Sequence, residues 1–278
     1  MKRTESLVLL CSALLVAGLY HEVVRWLFRA WLDDPYYSHG LLLLPAGAFL
    51  VWLKRKEIYR AEPEDWLFLP LCLLCFGFSL YLLGTVLHLP TLLAFSLLPV
   101  LAGFSLVFLG KRAKPLLFPV FLLATAIPFQ AFEALEVPLQ NLSASAVSAI
   151  FGVLGTPTSI SGNCVTLAGN TYWIAPACSG LNRIMPLFAL TAVVAYLLGS
   201  GRLLARISLL ALVVPFALAS NILRLFVTLL IGTWFGVEVA VGFAHDCSSV
   251  LFFLVALVLI LAAAGVFKLK LRLKLRPL

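Results

Sequence analysis

The stretch "CSSVLFFLVALVLILAAAGVF", Cys247 to Phe267, contains no charged residue. About 20 apolar residues, rising ~1.5 Å each as a helix, cross the ~30 Å hydrocarbon core of a bilayer. Similar runs recur at about 7–29, 39–53, 66–86, 91–110, 115–131, 179–199 and 207–231. They are continuous and Leu-rich. The strands of a membrane barrel would instead read as ~10-residue alternating segments. Only helices and closed barrels satisfy their backbone in lipid, so the spans are predicted helical. Composition agrees: 63% of residues are hydrophobic and 12% charged, against about 25% charged in soluble domains. The expected fold is an all-α polytopic membrane protein of about eight transmembrane helices, one integral domain over 1–278.

The net charge of +8 does not point to nucleic acid, because the cations cluster between spans. The clusters are Lys2-Arg3, Lys54-Arg55-Lys56 with Arg60, Lys111-Arg112 with Lys114, Arg202 with Arg206, and the tail at 268–278. Eight spans put all five on one face, which the positive-inside rule makes cytoplasmic. Both termini are then inside, and the basic tail lies against the inner leaflet. Asp33, Asp34, Glu133, Glu136, Glu238 and Asp246 fall outside; Arg25 and Arg29 run against the pattern. Lys2-Arg3 before an apolar run resembles a signal peptide. No small-residue cleavage site follows, so the run is read as a retained first helix.

Residues 132–176 form the one long polar-leaning interval, an extracytoplasmic insertion by this topology. Leu139, Leu142, Val147, Ile150 and Phe151 recur at roughly helical spacing. They predict an amphipathic helix with that apolar face on the outer interface. Gly162-Asn163 and Gly169-Asn170 punctuate short β-branched and aromatic runs, the signal of tight hairpins in a three-stranded meander.

The meander leads to "IAPACSGLNR", Ile174 to Arg183. Cys178 lies there at the outer end of the sixth span. Helix N-terminal amides favour a thiolate, unlike the apolar settings of Cys11, Cys72 and Cys75. Arg224, in "SNILRLFVTLL", sits in the outer part of the seventh span. A guanidinium inside a span costs at least ~2.5–3.5 kcal/mol and marks function by default. His245, in "GFAHDCSS", opens the eighth span. Three reactive residue types from three helices thus reach one membrane face. Their chemistry is coherent: a thiolate attacks a peptide carbonyl, a His moves the protons, and an Arg holds the oxyanion. An amine or hydroxyl that resolves the thioester makes a transferase; water makes a protease. Asn221, one turn before Arg224, is placed to orient it, and Ser179 follows the cysteine as a supporting residue. Tyr37, Ser38 and His39 begin the second span on the same face and are candidates to line the site.

"PACSGLNR", "SNILR" and "AHDCSS" together resemble the three active-site blocks of the exosortase/archaeosortase family. "DDPYYSHGLLLLPAGAFLVWLKR" resembles its N-terminal block, so the likeness runs from about residue 30 to 265. It implies a polytopic cysteine protease or transpeptidase in the bacterial cytoplasmic (inner) membrane. Its substrates would be exported proteins with a C-terminal tripartite signal of the PEP-CTERM kind: a motif, an apolar helix and a basic tail. Cys178 would be the nucleophile, with Arg224 and His245 the other two site residues. His at the third position favours the bacterial branch over the archaeal relatives, which carry Arg. The resemblance assigns no role to Arg183, names no acceptor and implies no cofactor.

Other classes fit less well. A transporter would use Arg224 for an anionic solute, but the polar residues gather at one face rather than at the midplane, and no inverted repeat is visible. A metal site at Cys178, His245, Asp246 and Cys247 would place Arg224 against a cation, and no HExxH-type motif appears. A disulfide between Cys164 and Cys247 suits an oxidising compartment.

Overall fold

The computed structural model describes residues 3–60, 67–129, 132, 134–174, 179–198, 203–241 and 243–267, with side chains excepted at 3–9, 57, 59, 60, 182, 237, 241 and 243–249. The chain forms two compact units, Met1–Phe129 and Gln130–Leu278.

The first unit holds α1 (Arg3–Asp33), α2 (Gly40–Arg60), α3 (Phe68–Val86), α4 (Pro90–Leu109) and α5 (Lys114–Leu122). Short 3-10 turns, Gly110–Ala113 and Leu123–Ala126, flank α5. The α3–α4 connection is tight because His88 adopts φ +53, and the Leu89 N–H then reaches back to the Gly84 carbonyl at 2.9 Å. This is the Schellman closure, with His where Gly is usual. The two helices then pack closely: a Cβ on Gly77 would stand 2.6 Å from a Val100 methyl. Small residues permit such approach where lipid supplies no hydrophobic drive.

Among the described residues, four helical stretches are long and apolar enough to cross a membrane: Leu10–Asp33, Phe68–Val86, Pro90–Ala126 and Leu203–Phe235. Helices also occupy the other expected places, but α2 carries Lys54-Arg55-Lys56 in its last third, and α5 is only nine residues long. The helical membrane architecture is thus borne out, while eight spans are not confirmed: four long stretches are accompanied by the shorter apolar helices Arg183–Leu197 and Val250–Val266. The stretch Pro90–Ala126 joins two predicted spans, yet it folds back. Thr91, at its start, hydrogen-bonds the Pro128 carbonyl at 2.9 Å, and the Phe95 and Phe129 rings meet edge to face at 6.2 Å. Gly110, with φ +56, makes the reversal between α4 and α5.

The second unit holds α6 (Glu136–Val153), a three-stranded antiparallel sheet, α7 (Leu181–Leu197), α8 (Leu203–Ala211), α9 (Val213–Phe235), α10 (Val237–Val241) and α11 (Phe243–Val266). The strands β1 (Thr158–Ser161), β2 (Cys164–Leu167) and β3 (Asn170–Trp173) form the expected meander. Gly162-Asn163 closes the first hairpin, with Ser161 opposite Cys164. Positive φ at Gly162 alone of the pair suits a type II′ turn. The second turn is not Gly169-Asn170. It is Ala168-Gly169, with φ +52 and +80, and Asn170 pairs with Leu167 as the first residue of β3. A type I′ turn needs positive φ at both central residues, and Ala168 accepts that strain.

Two apolar cores sit at different levels of α9. Leu225 and Leu229 pack with Ala144, Val147 and Phe151 of α6 and with Val165, Leu167 and Tyr172 of the sheet. Val213 and Ala217 pack with Leu187 of α7, Leu209 of α8 and Ala256 and Ile260 of α11. Between these levels α9 is polar: Ser220, Asn221 and Arg224 are all buried.

Helix α6 forms where expected, but its predicted apolar face is divided. Of the five predicted apolar-face residues, Val147 and Phe151 are buried, but Leu142 and Ile150 are exposed. The buried face also carries Gln140 and Ser143. Within that face Ser143 meets the Asn221 amide of α9. The exposed face, Val137, Leu142, Ile150 and Val153, is apolar.

Candidate functional site

The site is built where α7 starts. Gly180 caps the helix with φ +83, a left-handed conformation that costs other residues roughly 1–2 kcal/mol. Its carbonyl receives the Arg183 N–H at 3.0 Å. Ser179 is fully buried, and its hydroxyl accepts the Leu181 N–H at 3.2 Å. Cys178 itself lies outside the described residues; Ser179 is its covalent neighbour.

Asn221 of α9 is the hub. A Cβ on Gly180 would stand 3.2 Å from the Asn221 side chain, so the chain just after Cys178 rests directly on this amide. Asn221 Oδ1 accepts from Arg183 Nη1 at 3.0 Å and from Arg224 Nη2 at 3.2 Å. Asn221 Nδ2 donates to Ser143 Oγ of α6 at 3.3 Å. The amide orientation follows from chemistry: guanidinium groups only donate, so the oxygen must face them. Arg224 is 1% exposed and heads the fully buried side chains by volume. Two cations thus converge on one neutral acceptor, which leaves their charge in place while fixing their geometry.

His245 stands on the first turn of α11; its side chain lies outside the described ones. Its backbone level can still be read. The Ser220 hydroxyl donates to the Phe252 carbonyl, which sets the register of α9 against α11. The short α10 turn returns the chain, so α11 runs antiparallel to α9. Seven residues before Phe252 is about two turns, the same helix face, roughly 10 Å along the axis. Arg224 is four residues past Ser220, roughly 6 Å in the same direction. Positions 224 and 245 therefore lie within about one turn of the same level.

Tyr37, Ser38 and His39 belong to the first unit, where Tyr37 and His39 have a structural use. The Tyr37 hydroxyl accepts the Phe129 N–H at 3.0 Å, and His39 Nε2 donates to the Thr125 carbonyl at 3.0 Å. Trp31 Nε1 adds a bond to the Ala126 carbonyl at 2.8 Å. The chain beyond α5 has left the α-helix, and these side chains satisfy the groups it frees, as an apolar surround demands. The Trp31 indole lies against Gly40, where any Cβ would collide with it. Ser38 is exposed and bonds only locally, to the Pro35 carbonyl.

The sequence missed Arg183 as a partner of Asn221, and it missed Gln140 and Ser143 altogether. The available signal was the polar spacing Gln140, Ser143 on an otherwise apolar helix. Cys164 is a free thiol rather than half of a bridge; the Cys247 side chain lies outside the described ones.

Comparison with known proteins identifies this architecture. The transmembrane exosortase (Exosortase_EpsH) family model matches residues 31–262. That range takes in the Tyr37–Gly40 segment, Cys178, the Asn221 hub and His245. No curated protein and no solved structure matches. With most of its length matched, the chain belongs to the transmembrane exosortase family.

Proposed function

We propose that this protein is a membrane-embedded cysteine protease and transpeptidase acting on C-terminal sorting signals. Its family is one of membrane cysteine peptidases and transpeptidases concerned with sorting-signal processing. The substrates are exported proteins with a PEP-CTERM-like tripartite signal, cut at the outer face of the bacterial cytoplasmic membrane. Both termini are cytoplasmic. A substrate helix ending in a basic tail obeys the same orientation rule, which brings its cleavage motif level with the outer ends of the enzyme's helices.

Cys178 Sγ attacks the scissile carbonyl. The C–N bond breaks, the amine leaves with a proton, and a thioester remains on Cys178. His245 takes the thiol proton and delivers it to the amine. Arg224 donates to the tetrahedral oxyanion, in a dry site where such a bond is worth most. An acceptor amine or hydroxyl, or water, then releases the acyl group. The single observation that carries this reading is the buried Arg224, fixed on Asn221 beneath the chain that follows Cys178. The test is co-expression with proteins bearing such signals and mass spectrometry of the new C-terminus. Wild-type processing by Cys178→Ala would sink the proposal.

A further inference from the structure

An apolar cavity of about 730 Å³ lies between α1 and α4 in the first unit. Small residues, Ala13 and Ala17, line it from α1. Phe104 and Phe108 line it from α4, their rings stacked 6.1 Å apart and 6° from parallel. Toward one end lies Tyr20, whose hydroxyl meets Ser96 Oγ at 2.9 Å. From that contact the helices must run antiparallel, since Ser12 and Leu109 line the same cavity. The other end of the groove therefore lies at Leu109, one residue before the turn that carries Lys111 and Arg112.

More cations meet there. Tyr37 contacts Phe129, His39 contacts Thr125, and Gly47 packs on Pro119, so α2 and α5 are antiparallel. Seven residues beyond the Gly47–Pro119 contact, Lys54 reaches the level of Arg112. Lys54, Arg55 and Lys56 thus join Lys111, Arg112 and Lys114 at the Leu109 end of the groove. At the Tyr20 end, the charged groups near the groove are His21, Glu22 and Arg25, where Glu22 already holds Arg25 at 2.9 Å.

The geometry points to a bound anionic phospholipid, its acyl chain in the α1–α4 groove and its phosphate on the Lys111–Arg112 end. Charge decides the occupant. A protein helix with a basic tail would be repelled at this basic end, and a 20-residue helix, ~30 Å long and ~10 Å across, occupies roughly 2,000 Å³, well above the cavity volume. A zwitterionic lipid gains less from the cations, because its headgroup carries no net charge for them to attract.

The test uses the full-length protein in detergent, titrated with phosphatidylglycerol or phosphatidylcholine. Bound lipid is read by native mass spectrometry and the unfolding midpoint by heating. Wild type should retain phosphatidylglycerol with at least a several-fold preference and unfold at a higher temperature with it. Lys111→Gln with Arg112→Gln should hold both lipids equally. Ala17→Trp, which fills the groove, should retain neither; Ala13→Leu is the milder variant if Ala17→Trp fails to fold. Equal retention of the two lipids by wild type overturns the proposal, as does an undiminished preference in the Gln variant. Displacement of the lipid by an apolar helical peptide with a basic tail assigns the groove to a protein helix and overturns it too.

Discussion

Asn221→Asp changes one atom type at the hub and should move stability and activity in opposite directions. Asn221 Oδ1 already takes two guanidinium donors, at 3.0 and 3.2 Å. The bonds are already charge-assisted from the guanidinium side, and a carboxylate there turns both into full ion pairs. That adds about 1–2 kcal/mol per bond. Against this stands the Nδ2 bond to Ser143, worth about 1 kcal/mol; the Ser143 hydroxyl can turn and donate to the new oxygen instead. Burying a further charge is costly alone, but here it would sit between two guanidinium groups that already donate to this position. The net expectation is a gain of about 1–2 kcal/mol, or a few degrees in unfolding midpoint. Activity should fall. The carboxylate neutralises Arg224 just where oxyanion charge develops, and losing one such donor typically costs about 10²–10³-fold in rate. Asn221→Ala is the control: it removes the shared acceptor and should lower both properties. The assays are thermal unfolding in detergent and processing of a co-expressed sorting-signal protein. Near-wild-type processing by Asn221→Asp would refute the electrostatic role of Arg224. Destabilisation matching Asn221→Ala would mean that burying the carboxylate costs more than its two guanidinium bonds return.

Cys178→Ala should abolish processing while leaving the unfolding midpoint within a degree or two, read on the same preparations. Gly180→Ala forces a side chain into φ +83 and against Asn221 at 3.2 Å; it should cost about 1–2 kcal/mol and slow processing, and an unchanged midpoint would contradict the packing. Processing by wild type should depend on a group titrating near neutral pH, and in His245→Ala that dependence should vanish; its survival would remove His245 from proton transfer. Tyr37→Phe deletes the hydroxyl that holds Phe129 and should lower the midpoint by about 1 kcal/mol equivalent with processing per folded molecule unchanged, whereas a selective loss of processing would return Tyr37 to the substrate site.

Much of this was legible in the sequence, for identifiable reasons. Apolar runs near 20 residues have few other readings, so helices appear where they were expected. Gly-Asn pairs mark hairpins because positive φ is scarce. Their precise turn was misread at Ala168-Gly169, since Ala in a left-handed conformation gives no sequence signal. The face of α6 was misread for a deeper reason. The whole apolar set is expected on the outer interface, but Val147 and Phe151 pack inward beside Ser143, which bonds Asn221, 78 residues away in the chain. No local pattern reports a partner that distant. Arg183 was opaque for the same reason: its acceptor lies 38 residues on. Tyr37 and His39 looked like site residues because polar groups at a span's end often are, and the structure shows them tied to freed backbone groups.

A buried guanidinium explains the arrangement around it better than any propensity does. Arg224 in a span carries a cost that must be met by nearby polar groups. Asn221, three residues earlier, is the nearest position on the same helix face and supplies the oxygen. That amide then needs its own nitrogen satisfied, and Ser143 of α6 does this. The demand propagates outward: α6 must present a polar position inward, which leaves Val137, Leu142 and Val153 exposed. The inward polar position is thus a consequence of one residue on α9. The same chain of contacts fixes Gly180 against Asn221 and so holds the residue that follows the cysteine. A hydrophobic replacement at 224 would relieve the whole network and simplify the fold. The site retains the costly residue, which is what a group kept for its charge requires.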